Sequence, residues 1–194
     1  MNNNLNKNFW NKKKVFITGH TGFKGSWLCL FLHYLGAEVT GYSLTPNTKP
    51  NLFGLAKVDQ IIKKSIIADV RDYKKLLTKI KESNASIIFH LAAQPLVRMS
   101  YLHPKNTFDI NFTGSLNILQ AIKKIKKITT GIIITTDKSM ILKKIKFLKK
   151  QISLVVWILI ALLKFALRFC SVLTINLFSQ KVKKWLQPLG QEMS

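Results

Sequence analysis

Three glycines at intervals of three, in Thr18-Gly19-His20-Thr21-Gly22-Phe23-Lys24-Gly25, constrain this chain more than any other feature. The apolar, β-rich run of residues 14–18 leads directly into them. A helix-like stretch, residues 26–35, follows with Leu28, Phe31, Leu32 and Leu35 on one face. Between a strand and a helix, G-x-x-G-x-x-G lets the backbone turn tightly and approach a pyrophosphate, which then rests on the amides that open the helix. An ordinary strand–helix turn is the alternative reading; the context favours the dinucleotide site.

The rest of the front alternates in the same way. Residues 38–42, 66–69, 86–90 and 131–136 read as strands, and residues 73–82 and 113–124 as helices. Strands apolar on both faces and separated by helices predict an α/β fold, a Rossmann-type doubly wound parallel sheet with strand order 3-2-1-4-5. The sheet is incomplete. After Lys138 the texture changes: residues 141–150 are mostly Lys and apolar side chains, and residues 152–178 are almost wholly apolar. The predicted organisation is therefore residues 1–138 as the nucleotide-binding part and residues 139–194 as a tail without a native domain.

A hydrophobic content of 47% suits a globular chain, and the net charge of +23 would attract nucleic acid, anionic lipid or phosphorylated ligands. However, Lys, Asn and Ile share A/T-rich codons, and the chain opens Met1-Asn2-Asn3-Asn4. Base composition thus accounts for much of the Lys, and no nucleic-acid partner is expected. Cys29 and Cys170 have neither a metal-ligand spacing nor a disulfide framework, and nothing before Val15 resembles an export signal. A cytoplasmic protein without a metal is expected.

The dinucleotide fingerprint also calls for an acid about twenty residues on, to hold the adenine ribose. Tyr42, Ser43, Leu44 and Thr45 stand there instead, which leaves NAD versus NADP open. Asp69 and Val70 offer an adenine contact; equally, Asp69 could be a helix N-cap.

Four segments carry a family resemblance: residues 18–28 (TGHTGFKGSWL), 36–42 (GAEVTGY), 89–100 (FHLAAQPLVRMS) and Thr136-Asp137-Lys138. They resemble the CDP-glucose 4,6-dehydratase family of extended short-chain dehydrogenases/reductases, over roughly residues 9–138. The resemblance implies bound NAD as cofactor, a nucleotide sugar (CDP-glucose) as substrate and a homo-oligomer for the intact enzyme. By the same resemblance Gly19, His20, Gly22, Phe23, Lys24 and Gly25 line the pyrophosphate. Leu91, Ala92 and Ala93 flank the adenosine, Gln94 lies toward the nicotinamide and sugar, and Asn111 supports the active site from a central helix. The family oxidises C4 of glucose, which acidifies the C5 proton, then eliminates the C6 hydroxyl. Thr136 would hydrogen-bond the C4 oxygen, Asp137 would be the acid, and Lys138 stands where many sister dehydratases place a Glu base.

The family also needs a Tyr-x-x-x-Lys pair, and no tyrosine follows Tyr101. Taken as protein, the tail could be a membrane-surface helix with basic flanks or a weak membrane span. Taken as codons, it says something else. Trp157-Ile158 must be TGG-ATH, which one base out of step contains GAT, Asp; the following residues down to Lys164 permit Pro-Tyr-Ser-Ser-Ser-Lys. Trp185 to Ser194 likewise permit Val-Ala-Thr-Ala-Arg-Ala-Gly-Asn-Val, which resembles the family's next strand. One base lost after the Ser139 codon produces this shift, since AGT-ATG-ATT becomes AGT-TAT-GAT when one T is restored. The chain is then inactive as written, and the rival is a basic membrane-surface or nucleic-acid-binding protein with a Rossmann-like half.

Overall fold

The computed structural model describes residues 7–134, so the predicted tail and Thr136, Asp137 and Lys138 lie outside the described residues. A short helix α1 (Lys7–Trp10) precedes β1 (Lys14–Thr18), α2 (Phe23–Tyr34) and β2 (Glu38–Ser43). Next come α3 (Leu52–Leu55), α4 (Val58–Ile61), β3 (Lys64–Ile67), α5 (Tyr73–Ser83) and β4 (Ile87–His90). Then α6 (Val97–Leu102), α7 (Pro104–Phe108), a π-helical turn (Asp109–Thr113), α8 (Gly114–Lys124) and β5 (Thr130–Ile133) complete the described part. The five strands are parallel, in the order β3-β2-β1-β4-β5, as the sequence pattern predicts.

β1 lies at the centre because it can bury both faces: Val15, Phe16 and Ile17 are all fully enclosed. Val15 and Ile17 point to one side, where Cys29, Leu32, Val39 and Val58 meet them from α2, β2 and α4. Phe16 points to the other, against Tyr42 and Ile88 of the neighbouring strands and Leu76, Ile80 and Ile118 of α5 and α8. Helices on both faces make the sheet doubly wound.

Three expectations shift. The α2 helix starts at Phe23; of the apolar face expected there, Leu32 and Leu35 are buried and Leu28 packs on the core, but Phe31 is exposed, and Gly25, Ser26 and Cys29 share the buried side. The cause is close approach: a Cβ on Gly25 would lie 2.0 Å from the Gly19 carbonyl oxygen. Small side chains must therefore face the sheet at the helix start, and the aromatic residues turn outward. β3 is placed two residues earlier than expected, because its register pairs Thr40 with Lys64 and Ser43 with Ile67. Asp69 consequently sits in the turn after β3, and the N-cap of α5 is Asp72, whose carboxylate accepts from Lys75 N–H at 3.0 Å.

Candidate functional site

Parallel strands bring all their carboxyl ends to one edge, and the turns leaving β1, β3 and β4 meet there. Gly19 opens the first turn at φ +77°, a conformation that side chains disfavour, and a Cβ on it would lie 2.7 Å from Ala92 N and 2.8 Å from the Leu91 carbonyl carbon. The glycine turn and the Leu91–Ala92 segment are thus in direct contact, as the sequence grouped them. Gly19 N–H donates to Tyr42 O (2.9 Å), Gly22 N–H to Gly19 O (3.1 Å), and Ser26 N–H to Gly22 O (2.8 Å). Gly22 differs from its two companions. It is exposed, a Cβ there would meet only Gly19 O at 3.4 Å, and it caps α2 with no side chain over the helix end. No side chain therefore caps the first amides of this 12-residue helix, a cradle that fits an anionic phosphate ester.

Phe23 and Lys24 are exposed beside this opening. His20 contributes backbone only: its ring is fully enclosed, hydrogen-bonded through Nε2 to Ser65 Oγ (2.7 Å) and edge-on to Phe53. Burial pushes its pKa down to about 4, with the nearby Tyr42 carbonyl opposing weakly, so the ring is neutral. Thr21 Oγ1 donates to Leu44 O (2.8 Å) and accepts from Ser43 Oγ (2.9 Å), tying the glycine turn to the end of β2.

The turn after β3 is held from several directions. Tyr42 Oη donates to Asp69 O (2.9 Å), and the Asn117 amide donates to Val70 O (2.9 Å) and Arg71 O (3.0 Å). The Asp69 carboxylate accepts from the Arg71 backbone N–H and from its guanidinium, which also reaches Asn106 at 2.8 Å. The guanidinium hydrogen bond is what holds Asp69 below the ordinary carboxylate range. Val70 is buried and presses on α8 at Gly114, where a Cβ would come within 2.7 Å of it.

The third turn leaves β4. Ala93 is exposed, and Gln94 is half-buried with its amide turned to Thr107 Oγ1 (3.0 Å) and Leu96. Asn111, in the π-helical turn, clamps the Gln94 backbone: its Oδ1 accepts from Gln94 N–H (2.8 Å) and its Nδ2 donates to Gln94 O (3.2 Å). Thus every expected site residue from Gly19 to Asn111 lies on one edge of the sheet, with His20, Val70 and Asn111 buried behind it.

Sequence reasoning missed Thr18, His90, Ser115 and Asn117, four buried polar side chains that tie these turns to the sheet and to α8. A signal was available: Ser115 and Asn117 share α8's buried face with Ile118 and Ala121, and buried polar groups need partners. Cys29 is buried and its thiol pKa pushed up to about 12 by that burial, so it is no nucleophile. Among the described residues no cluster of His, Cys, Asp and Glu could hold a metal, and no helix is long and apolar enough to cross a membrane.

The family model described as GDP-mannose 4,6 dehydratase matches residues 16–140. A CDP-glucose 4,6-dehydratase from Salmonella typhimurium is 46% identical over 134 residues, 69% of this chain and 37% of that protein. A GDP-mannose 4,6-dehydratase from Vibrio cholerae serotype O1 is 33% identical over 122 residues, 58% of this chain and 32% of that one. The chain thus spans about a third of the length of these relatives. Two solved structures share the fold. One is UDP-glucose 4-epimerase from Thermotoga maritima with UDP-glucose, at TM-score 0.67 and 18% identity over 85% of this chain and 52% of that one. The other is the Bifidobacterium longum epimerase with NAD+ and UDP, at TM-score 0.64 and 20% identity over 86% and 49%.

Proposed function

This chain belongs to the GDP-mannose 4,6 dehydratase family, and from that premise we propose that it is the NAD-binding front of a CDP-glucose 4,6-dehydratase, interrupted by a frame shift after Ser139. The observation that carries the sugar-nucleotide choice is the 46% identity to the Salmonella enzyme, against 33% to the GDP-mannose enzyme. The intact protein would act on CDP-glucose in the cytoplasm as a homo-oligomer.

The open helix end at Gly22 supports a dinucleotide, because a Cβ-free edge and unengaged amides suit a pyrophosphate. Gly19, Gly22, Phe23, Lys24 and Gly25 would hold it, Asp69 and Val70 would meet the adenine, and Leu91, Ala92, Ala93 and Gln94 would face the adenosine and nicotinamide. NAD supplies reversible hydride acceptance from C4 of the sugar. The chain's own part is binding, orientation and proton transfer, with Thr136 proposed on the C4 oxygen, Asp137 as the acid for the C6 hydroxyl and Lys138 in the position of the base. The Tyr-x-x-x-Lys pair that would take the C4-hydroxyl proton is present only in the shifted frame. Its loss alone costs on the order of 10²–10⁴ in rate.

Support for the shift comes from where the family match stops, at residue 140, one residue past the inferred junction. DNA sequencing tests it: codons 138–141 should read AAR-AGY-ATG-ATH, with the shifted frame open and spelling Asp-Pro-Tyr-Ser-Ser-Ser-Lys opposite Trp157 to Lys164. One inserted T should restore a soluble enzyme that makes the 4-keto product from CDP-glucose and NAD, while the 194-residue chain makes none. Turnover by the uncorrected chain, or stop codons throughout the shifted frame, would sink the proposal.

A further inference from the structure

His90 ends β4, is fully buried, and is bonded on both ring nitrogens: Nδ1 to Thr18 Oγ1 at 2.6 Å and Nε2 to Ser115 Oγ at 3.0 Å. The protons on this chain can be assigned by counting donors. Ser115 has one hydroxyl proton, and it lies on the Asn111 carbonyl, 2.7 Å away, which can only accept. Ser115 must therefore accept from His90, so Nε2 carries the proton. Burial pushes the ring's pKa down to about 4, which keeps it neutral, so Nδ1 is bare and Thr18 donates to it. One direction of donation runs from β1 through β4 into the central helix.

That direction ends on the one irregular turn of the helix. At Asp109–Thr113 the bonding is π-helical, with Gly114 N–H reaching back five residues to Asp109 O. Such turns are uncommon and need a local cause. Here the Ser115 hydroxyl, reaching four residues back, satisfies the Asn111 carbonyl. The same Asn111 uses its side chain to grip both backbone groups of Gln94.

We propose that His90, fixed in one tautomer between Thr18 and Ser115, is a positioning residue that sets the π-helical turn and, through Asn111, the conformation of the Gln94 loop. The link to cofactor binding rests on the reading of that loop as cofactor-facing; the positioning itself does not. His90 touches no ligand site; it acts through Ser115, and Ser115 through Asn111. This also explains a buried, neutral imidazole in the core, since a Leu there would leave the Thr18 hydroxyl proton without its acceptor and Ser115 Oγ without the donor it accepts from.

The test uses the 194-residue chain. Ring nitrogen NMR should show His90 protonated at Nε2 only. Ser115→Ala should speed hydrogen exchange of the Gln94 amide about tenfold, the loss of one hydrogen bond's worth of restraint, while the Phe16 amide in β1 is unchanged. Ser115→Thr, which restores the hydroxyl, should restore the slow exchange, and Ser115→Cys, a weaker donor of similar size, should fall between. If the alanine variant does not fold, the cysteine and threonine variants still order the series. NAD affinity of the folded variants should follow Gln94 exchange. An Nδ1-protonated ring, or Gln94 and Phe16 accelerating together, overturns the proposal. If instead the tautomer and the exchange series hold and the unaltered chain does not bind NAD, the positioning stands and the cofactor reading fails.

Discussion

The carboxyl edge of this sheet is built in two different ways on its two sides of β1. Toward β2 and β3, His20 lies in a slot that exists because residue 41 is glycine: a Cβ there would be 2.3 Å from the His20 ring. Its Nε2 meets Ser65, but its Nδ1 has no hydrogen-bond partner. Toward β4 and α8, His90 has both nitrogens engaged in a directed chain from Thr18 to Asn111. Both rings are buried and both are held neutral by that burial. One side is therefore shaped by steric fit around glycines, the other by donors and acceptors that permit a single arrangement. Substitutions that add volume should damage the first side, and those that remove a hydroxyl or an amide should damage the second.

The largest effect expected of a single substitution breaks the steric side outright. Gly25→Ala places a methyl 2.0 Å from the Gly19 carbonyl oxygen and 2.8 Å from His20 Cα, where both neighbours are backbone and cannot swing aside. Overpacking of this kind costs about 3 kcal/mol or more, a large share of the roughly 5–15 kcal/mol that holds a small domain folded. Gly22→Ala, at the open position, should melt within a degree or two of the parent and lose nucleotide affinity instead. Circular dichroism melts of the two variants, with NAD titration of the second, check this; equal destabilisation would erase the difference between the two glycines.

Acid titration comes next and acts on both sides at once. Each histidine has its pKa lowered from 6.5 to about 4 in the folded state, so between those values the unfolded chain binds more protons than the folded one. Stability is then complete above the unfolded value, falls as pH drops toward about 4 and levels off below it. The loss is about 3 kcal/mol for each ring. Asp69, kept below the ordinary carboxylate range by Arg71, adds its own loss in more acid solution. Urea midpoints from pH 7.5 to 4 should trace this slope, and His20→Asn should remove about half of it. A flat profile would mean that one or both rings are solvated.

A third and smaller effect isolates the slot at Gly41. Gly41→Ala forces the His20 ring to move and should cost about 1–3 kcal/mol. Combined with His20→Ala, which vacates the slot, it should cost less than the sum of the two single changes, with a coupling of about 1–2 kcal/mol in the double-mutant cycle. Strict additivity would show that the ring is not what residue 41 must avoid.

The contrast between the two sides also explains what could be read from the residues alone. Steric features leave marks in one dimension: the spacing of Gly19, Gly22 and Gly25, and the apolar strands that gave the order 3-2-1-4-5, were legible. The inward face of α2 was legible in part: Leu28, Leu32 and Leu35 pack inward as their periodicity implies, but the same periodicity selects Phe31, and close approach to Gly19 requires Gly25. Directed hydrogen bonds leave weaker marks still. Thr18 and His90 are 72 residues apart, and nothing local in either names the other. Asp69 and Asp72 look alike as candidate caps until the register of β3 puts Asp72 at the helix start and Asp69 against Arg71. Thr136, Asp137 and Lys138 lie outside the described residues, so their roles rest on resemblance.

The smallest effect tests the hydrogen-bonded style where it intrudes on the steric side. Tyr42 belongs to β2 and its ring is fully buried among Phe16 and the α5 residues, yet its hydroxyl donates to the Asp69 carbonyl, 2.9 Å away. Burial, and then the charges of Asp72 and Asp69, push its pKa up to about 12, so it remains a donor across the whole working range. Tyr42→Phe keeps the ring and its packing and removes only that donor, leaving a carbonyl that can recover part of its hydration at the turn. The expected cost is therefore about 1 kcal/mol, a single hydrogen bond, with no pH dependence below pH 10. The turn proposed to meet adenine should feel it more than the fold does. If Asp69 meets adenine, NAD should bind several-fold more weakly to Tyr42→Phe, while binding of a nicotinamide mononucleotide, which has no adenine, should be unchanged. Equal weakening of both ligands would place the effect in the fold at large, and the turn after β3 would then owe its shape to Asn117 and Arg71 alone.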